Sequence, residues 1–95
     1  MFDLHIQNDG IARLTLNAPQ RLNALRLEHW SALAGLADQL SLREDLRAVV
    51  IAGAGERAFC AGGDITEFSD IRMGADAAQA YNAEVDRALI ALAAI

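Results

Sequence analysis

The sequence predicts a mixed α/β fold, and three patterns along its 95 residues support that expectation. Apolar and polar residues alternate with a period of two near the start, which is typical of a half-buried strand. Apolar positions spaced by three and four follow over residues 25–42, as on one face of a helix. A short β-branched run then has the composition of a strand buried on both faces, as in a parallel sheet.

The first two strands are predicted to form a hairpin. Apolar residues alternate with polar ones over residues 2–6, and an apolar strand resumes over residues 11–16. Between them, Asn8-Asp9-Gly10 is a turn signal, because Asp-Gly suits positive φ. Pro19 ends the second strand, since proline has no N–H to donate to a ladder.

A helix and a buried strand come next. The predicted helix over residues 25–42 has one apolar stripe, formed by Leu27, Trp30, Leu33, Ala34, Ala37 and Leu40. Residues 48–52 form the buried strand, and glycines follow it at positions 53 and 55.

The last third of the chain is predicted to be a glycine turn and two helices. A short helix is expected near Asp64, a good N-cap residue, and a long one from about Ala77. One face of the long helix has Tyr81, Val85, Ala88, Leu89 and Leu92. It reaches Ile95 with no closing glycine or basic last turn. We therefore expect residues 1–95 to be one partial domain, cut within a fold.

Composition narrows the classes of function. A net charge of −5 and a pI near 4.7 disfavour a nucleic-acid binder, which needs a basic face. No apolar run approaches the roughly 20 residues of a membrane span, and the N-terminus lacks a secretory pattern. The single cysteine excludes an intrachain disulfide framework and fits a reducing compartment. We therefore expect a cytoplasmic protein without a nucleic-acid or membrane partner.

The stretch most informative about chemistry runs from Arg47 to Asp64: a strand, a glycine turn, Phe59 and then Ala61-Gly62-Gly63-Asp64. Glycines permit sharp bends and close approach of a ligand to the main chain. Successive N–H groups in such a bend can form an anion-binding concavity, and a helix starting at Asp64 would add its dipole. Such a site can hold a thioester oxygen as it becomes an enolate. The alternative is a plain turn that joins a strand to a helix.

Four stretches together resemble the N-terminal part of the enoyl-CoA hydratase/isomerase superfamily, the crotonase fold. They are residues 11–19, 21–25, 47–55 and 58–65, in the family's order and at its usual spacing. The resemblance implies an α/β architecture, namely the N-terminal portion of the crotonase ββα spiral fold. It also implies acyl-CoA thioesters as ligands and a place in fatty acid metabolism. Coenzyme A enters as part of the substrate, and no other cofactor or metal is implied.

Family members stabilise the enolate oxygen with two backbone N–H groups. The resemblance places the first at Ala61 or a residue beside it in the turn, and we assign it to Ala61. Asp64 is expected to hold the loop rather than to react. The second donor and the acid/base carboxylates of the family belong to segments that these 95 residues do not contain. The resemblance implies a substrate-binding set of Arg21, Leu22, Ala24, Ala61, Gly62, Gly63 and Asp64.

The function implied is acyl-CoA processing through enolate stabilisation, with hydration of 2-enoyl-CoA as the leading reaction. Another crotonase reaction, catalysed by an isomerase, hydrolase or decarboxylase, stays open. A further interpretation also stays open, that the chain is a non-catalytic module that binds coenzyme A or pairs with a complementary chain or with further copies of itself. Whether this chain is itself an enzyme is left open, because the expected acid/base residues are missing.

Three charged residues near these motifs have two interpretations each. Glu67 could serve as a general base, but we expect a solvated helix residue, since glutamate is rarely buried. Arg21 and Arg57 could each pair with a coenzyme A phosphate or lie on the surface.

The cysteine and the two histidines are predicted to have no catalytic or metal-binding role, and a second motif is predicted not to bind a dinucleotide. Cys60 has no histidine nearby in sequence and is expected to be buried and structural. His5 and His29 are expected on outward positions and lack metal-ligand spacing. Residues 53–58 fit the dinucleotide fingerprint G-x-G-x-x-A, but the residues that follow are poor helix formers, so we reject that interpretation.

Overall fold

The computed structural model describes residues 1–64, Glu67 and residues 74–95, and these residues form a mixed α/β fold. The chain consists of two compact units. The strand unit comprises Met1–Ala24 and Arg43–Gly62, and the helix unit comprises Leu25–Leu42 and the described part of Gly63–Ile95. Elements follow in the order β1 (Phe2–Ile6), β2 (Ile11–Leu16), a 3-10 turn (Pro19–Arg21), α1 (Leu27–Ser41), β3 (Ala48–Gly53) and α2 (Ala75–Ala93).

The predicted hairpin is confirmed in the strand unit. β1 and β2 pair antiparallel, with Phe2 opposite Leu16 and Ile6 opposite Ala12. Gly10 has a φ of 85°, the left-handed conformation that the Asp-Gly signal requires. Inward residues of β2 alternate along the strand and are buried: Ala12, Leu14 and Leu16.

β3 lies beside β2 and runs parallel to it, as its composition predicts. The expected burial on both faces is wrong for the described residues. β3 is the edge strand of the order β1-β2-β3, and its exposed residues alternate with half-buried ones. Val50 is 37% exposed. A parallel edge strand can therefore carry a β-branched sequence without being covered on both sides.

In the helix unit, α1 packs against α2. The α1 residues predicted to face the core include Leu33, Ala34, Ala37 and Leu40, and these four are buried. Ser31 Oγ donates a 2.7 Å hydrogen bond to Glu84 Oε2 across the two helices.

α2 begins at Ala75, two residues before the predicted start. Tyr81 and Ala88 are buried as expected, but Leu89 is 52% exposed, so its assignment to the packed face is wrong. The buried position of the next turn is Ala91 instead, three residues after Ala88. The short helix predicted near Asp64 falls mostly on residues 65–66 and 68–73, outside the described residues.

Candidate functional site

A left-handed pair of residues shapes the loop between β2 and α1. Leu22 and Asn23 have φ angles of 54° and 57°, a conformation that asparagine tolerates better than most residues. Asn23 is completely buried. Its Oδ1 accepts from Ala18 N at 2.9 Å, and its Nδ2 donates to the carbonyls of Ala54 and Ala58, both at 3.0 Å. One amide therefore joins the start of this loop to the loop that follows β3.

The main chain of this loop also meets the glycine-containing segment. Ala61 N donates a 3.0 Å hydrogen bond to the carbonyl oxygen of Leu22. An amide nitrogen has only one hydrogen, so the Ala61 amide is already satisfied. The free N–H that the sequence prediction requires at Ala61 is not found, because the carbonyl of the left-handed Leu22 accepts it.

The next residue, Gly62, has a φ of 95°, which a glycine adopts without strain. Its N–H points back to Cys60 Sγ at 3.4 Å, a weak sulfur acceptor. Cys60 is half-buried and free, so the expectation of a fully buried cysteine is wrong. The thiol lies near this amide because Gly62 lets the chain turn back.

Gly63 and Asp64 belong to the helix unit and are held by Leu25. Leu25 and Gly63 form a parallel bridge, and Asp64 N donates to Leu25 O at 2.8 Å. Among residues 1–64, Glu67 and residues 74–95, no hydrogen bond from the Gly63 amide is found. Within this part of the chain, Gly63 is thus the member of the turn whose main-chain N–H has no acceptor.

Asp64 is buried, with 7% of its surface exposed. Arg26 Nη1 lies 3.9 Å from its Oδ2. The contact with a cation and the bond to Leu25 fit the predicted loop-holding role of Asp64, which stays a prediction.

Three further members of the predicted substrate-binding set lie in the strand unit. Arg21 and Leu22 are half-buried, and Ala24 is buried. Ala24 N donates to Arg21 O at 3.1 Å, so these residues form one tight turn. Arg57 is exposed. This turn supplies main-chain carbonyls and two half-buried side chains, those of Arg21 and Leu22.

Glu67 contradicts its prediction as a solvated residue. It is 5% exposed. Its Oε1 accepts from Leu27 N at 2.6 Å, and its Oε2 lies 3.3 Å from Arg26 Nε. Its partners lie about forty residues earlier in the chain, beyond the reach of any local pattern. Sequence reasoning gave no role to Arg26, and it included Asn23 only within the motif of residues 21–25, although asparagine in a loop after Pro19 is a recognisable left-handed-turn signal.

His29 is likewise half-buried rather than outward, because its Nδ1 accepts from Arg26 N at 3.0 Å. Its other ring nitrogen, Nε2, lies 3.7 Å from Glu28 Oε1. Within the described residues, no group of three or more histidine, cysteine, aspartate or glutamate side chains could hold a metal ion.

The rival dinucleotide motif does not form its required structure. β3 ends at Gly53, and residues 54–57 are a series of bends in which no helix begins. The fingerprint needs a helix N-terminus at this point to bind a pyrophosphate.

Neither of the two described helices is long and apolar enough to span a bilayer.

Comparison with known proteins agrees with the fold. A family model described as enoyl-CoA hydratase/isomerase matches residues 11–91. The chain is 39% identical over 62 residues to Bacillus subtilis YngF, an enoyl-CoA hydratase/isomerase by name, and 33% identical over 67 residues to the short-chain-enoyl-CoA hydratase of Clostridium acetobutylicum. These matches cover 65% and 70% of this chain.

A crystal structure of enoyl-CoA hydratase from Mycobacterium smegmatis superimposes with a TM-score of 0.83 at 33% identity, covering 95% of this chain and 34% of that one. The chain spans about a quarter of the length of the curated relatives it matches: 24% of YngF and 26% of the Clostridium enzyme. It matches the N-terminal portion of the crotonase fold, as the motifs indicated. From the family model and the shared structure we conclude that this chain belongs to the enoyl-CoA hydratase/isomerase family.

Proposed function

We propose that this chain supplies one half of an acyl-CoA site, in which a main-chain N–H stabilises the oxygen of a thioester enolate. Membership of the family supports acyl-CoA as the ligand class. The observation that carries the proposal is the amide of Gly63, which makes no hydrogen bond to any described residue and lies between a glycine with a left-handed φ and a buried carboxylate. The leading reaction is hydration of a 2-enoyl-CoA.

We assign the donor to Gly63 in place of Ala61. The Ala61 hydrogen is bound to Leu22 O, and the Gly62 hydrogen points to Cys60 Sγ. Removing one oxyanion donor typically costs a factor of about 10²–10³ in rate. Asp64 follows the donor and is buried, so it is placed to hold the turn rather than to exchange protons with a ligand.

A binding module without turnover is the second candidate, and one observation favours it. Glu67 is the general-base candidate weighed from the sequence, yet both of its oxygens are engaged, one by Leu27 N and one by Arg26. A general base needs a free position within reach of the substrate proton. This chain could therefore bind an acyl-CoA without supplying the proton transfers of hydration.

The donor can be tested by deleting single amide hydrogens in a semisynthetic chain. Replacing Gly63 with glycolic acid substitutes an ester oxygen for its N–H, and replacing Ala61 with lactic acid does the same at Ala61. The readout is the stretching frequency of a ¹³C-labelled thioester carbonyl in bound crotonyl-CoA, which falls when the carbonyl accepts a hydrogen bond.

We expect the unmodified chain to lower this frequency and the Gly63 ester to abolish the shift. The Ala61 ester should keep the shift and lose about 1 kcal/mol of stability, because its bond to Leu22 is structural. A shift lost only with the Ala61 ester would overturn the assignment to Gly63. Hydration of crotonyl-CoA distinguishes the two candidates: turnover supports the enzyme, binding without turnover supports the module, and no binding contradicts both.

A further inference from the structure

Helix α1 begins with an arginine where a side-chain acceptor is usual. Arg26 is the N-cap residue and makes no side-chain capping bond. A guanidinium has only donors, so it cannot accept from the first free amides of a helix as Ser, Thr or Asp does. The first helical amide, that of Leu27, needs an acceptor from elsewhere in the chain.

Glu67 provides that acceptor. Its Oε1 lies 2.6 Å from Leu27 N, a short bond typical of a charged acceptor, and a carboxylate here also complements the positive end of the helix dipole. Its second oxygen lies 3.3 Å from Arg26 Nε. One buried carboxylate thus caps α1 and neutralises the arginine that could not cap it.

The same arginine reaches the residue that follows Gly63. Arg26 Nη1 lies 3.9 Å from Asp64 Oδ2, and the adjacent Leu25 bridges Gly63 and accepts from Asp64 N. The start of α1 therefore contacts the turn through its main chain at Leu25 and through its charge at Arg26. All of these contacts lie within the helix unit.

We infer that Glu67 is a positioning residue, which acts through Arg26 and the start of α1 to fix the direction of the Gly63 amide. Glu67 is buried and its two oxygens are engaged by Leu27 N and Arg26, so it acts through these contacts. With Glu67 removed, Leu27 N loses its acceptor and Arg26 loses one of its two buried anions. The Arg26 side chain is then less fixed, and so is its contact with Asp64. The inference rests on the proposed function, because that function makes the Gly63 amide the donor to the thioester oxygen.

The test compares two substitutions at Glu67 with a matched control. Glu67→Gln keeps an oxygen for Leu27 N but loses the charge that faces Arg26. Glu67→Ala loses both. Glu44→Gln removes a carboxylate at an exposed position and serves as the control. Arg26→Lys is a second route, since one ammonium cannot take the place of both Nε and Nη1.

Three quantities are measured in the full chain: the exchange rate of the Leu27 amide, the ¹H–¹⁵N resonance of Gly63, and the carbonyl frequency of saturating ¹³C-crotonyl-CoA. We expect Glu67→Ala to speed Leu27 exchange by about 10-fold or more, and Glu67→Gln to restore most of that protection. Both variants, and Arg26→Lys, should move the Gly63 resonance and reduce the carbonyl shift, while Glu44→Gln changes neither.

A capping role alone gives a different result. In that case Leu27 exchange rises in Glu67→Ala, but the Gly63 resonance and the carbonyl frequency match those of the unmodified chain in every variant, and the inference is overturned. Failure of the proposed function is recognised separately, since the unmodified chain would then leave the carbonyl frequency unshifted. The Gly63 resonance still reports in that event whether Glu67 sets the position of the amide.

Discussion

Replacing Asn23 with aspartate tests the central bond set of the strand unit with a nearly isosteric change. Aspartate keeps the oxygen that accepts from Ala18 N, and it tolerates the left-handed φ of 57° almost as well. It loses the Nδ2 group, so the carbonyls of Ala54 and Ala58 lose their 3.0 Å donors. The change therefore isolates two hydrogen bonds at a position with no exposed surface.

The expected cost follows from those two acceptors. A buried group left unsatisfied costs about 1–3 kcal/mol, and because both carbonyls are only part-buried we expect about 2 kcal/mol in total at neutral pH. That is a measurable part of the roughly 5–15 kcal/mol that holds a domain folded. Burial beside two carbonyl oxygens raises the pKa of the new carboxyl in the folded state. Its protonated form is therefore favoured by folding and can donate one bond, so the deficit should shrink as the pH falls.

Urea unfolding of both proteins at pH 8 and pH 5 measures this difference. The control is Asn82→Asp at an exposed position of α2, for which a change within about 0.5 kcal/mol is expected. A loss for Asn23→Asp of less than 1 kcal/mol at pH 8, or a loss that grows on acidification, would refute the reasoning from unsatisfied carbonyls.

Three further changes have expected outcomes. Gly53→Ala places a Cβ against the backbone of Phe59 and should lower the free energy of unfolding by about 1–3 kcal/mol. An unchanged urea midpoint would show that the loop after β3 moves away from the new Cβ without loss of stability. Gly35→Ala, in α1 with open space around the new Cβ, should instead raise stability by about 0.5–1 kcal/mol, and a lower midpoint would contradict that helix-propensity argument. Asp45→Asn removes the ion pair with Arg43, whose guanidinium lowers the pKa of Asp45 through a 2.6 Å hydrogen bond. Because the ion pair lowers the folded-state pKa of Asp45, its contribution to stability is complete above the ordinary aspartate pKa and is lost as the pH falls through the lowered value. The difference in unfolding free energy between the two proteins should therefore vanish in acid, and a difference that stays constant with pH would contradict a role for the ion pair.

Local patterns were sufficient for the elements. The hairpin, the parallel partner of β2 and both long helices follow from period, turn chemistry and β-branched composition. The double-sided burial of β3 was wrong because composition cannot distinguish an edge strand from a central one. Leu89 was wrong for a similar reason, since a stripe of apolar residues is wider than the strip that one neighbouring helix covers.

The features of the candidate site that depend on contacts between distant segments could not be predicted from the sequence. The acceptor for the Ala61 amide is Leu22 O, and nothing in the turn's own sequence reveals it. The partners of Glu67 lie at the start of α1, so a glutamate that local sequence marks as solvated is buried. The donor role of Gly63 and the loop-holding role of Asp64 stay predictions.

The Asn23 amide also bears on folding kinetics. Its two donor bonds join residues 31 and 35 positions apart, and both acceptors lie in the loop that leaves β3. The paired residues of β2 and β3, such as Ile11 and Ala48, lie 37 positions apart, so strand pairing closes an equally long loop and brings the two loops joined by Asn23 together. The Asn23 bonds are therefore expected to form late, after the parallel strands have found their register. A contact absent from the folding transition state slows unfolding and leaves the folding rate unchanged. Asn23 should therefore govern the lifetime of the native state rather than the speed with which it is reached.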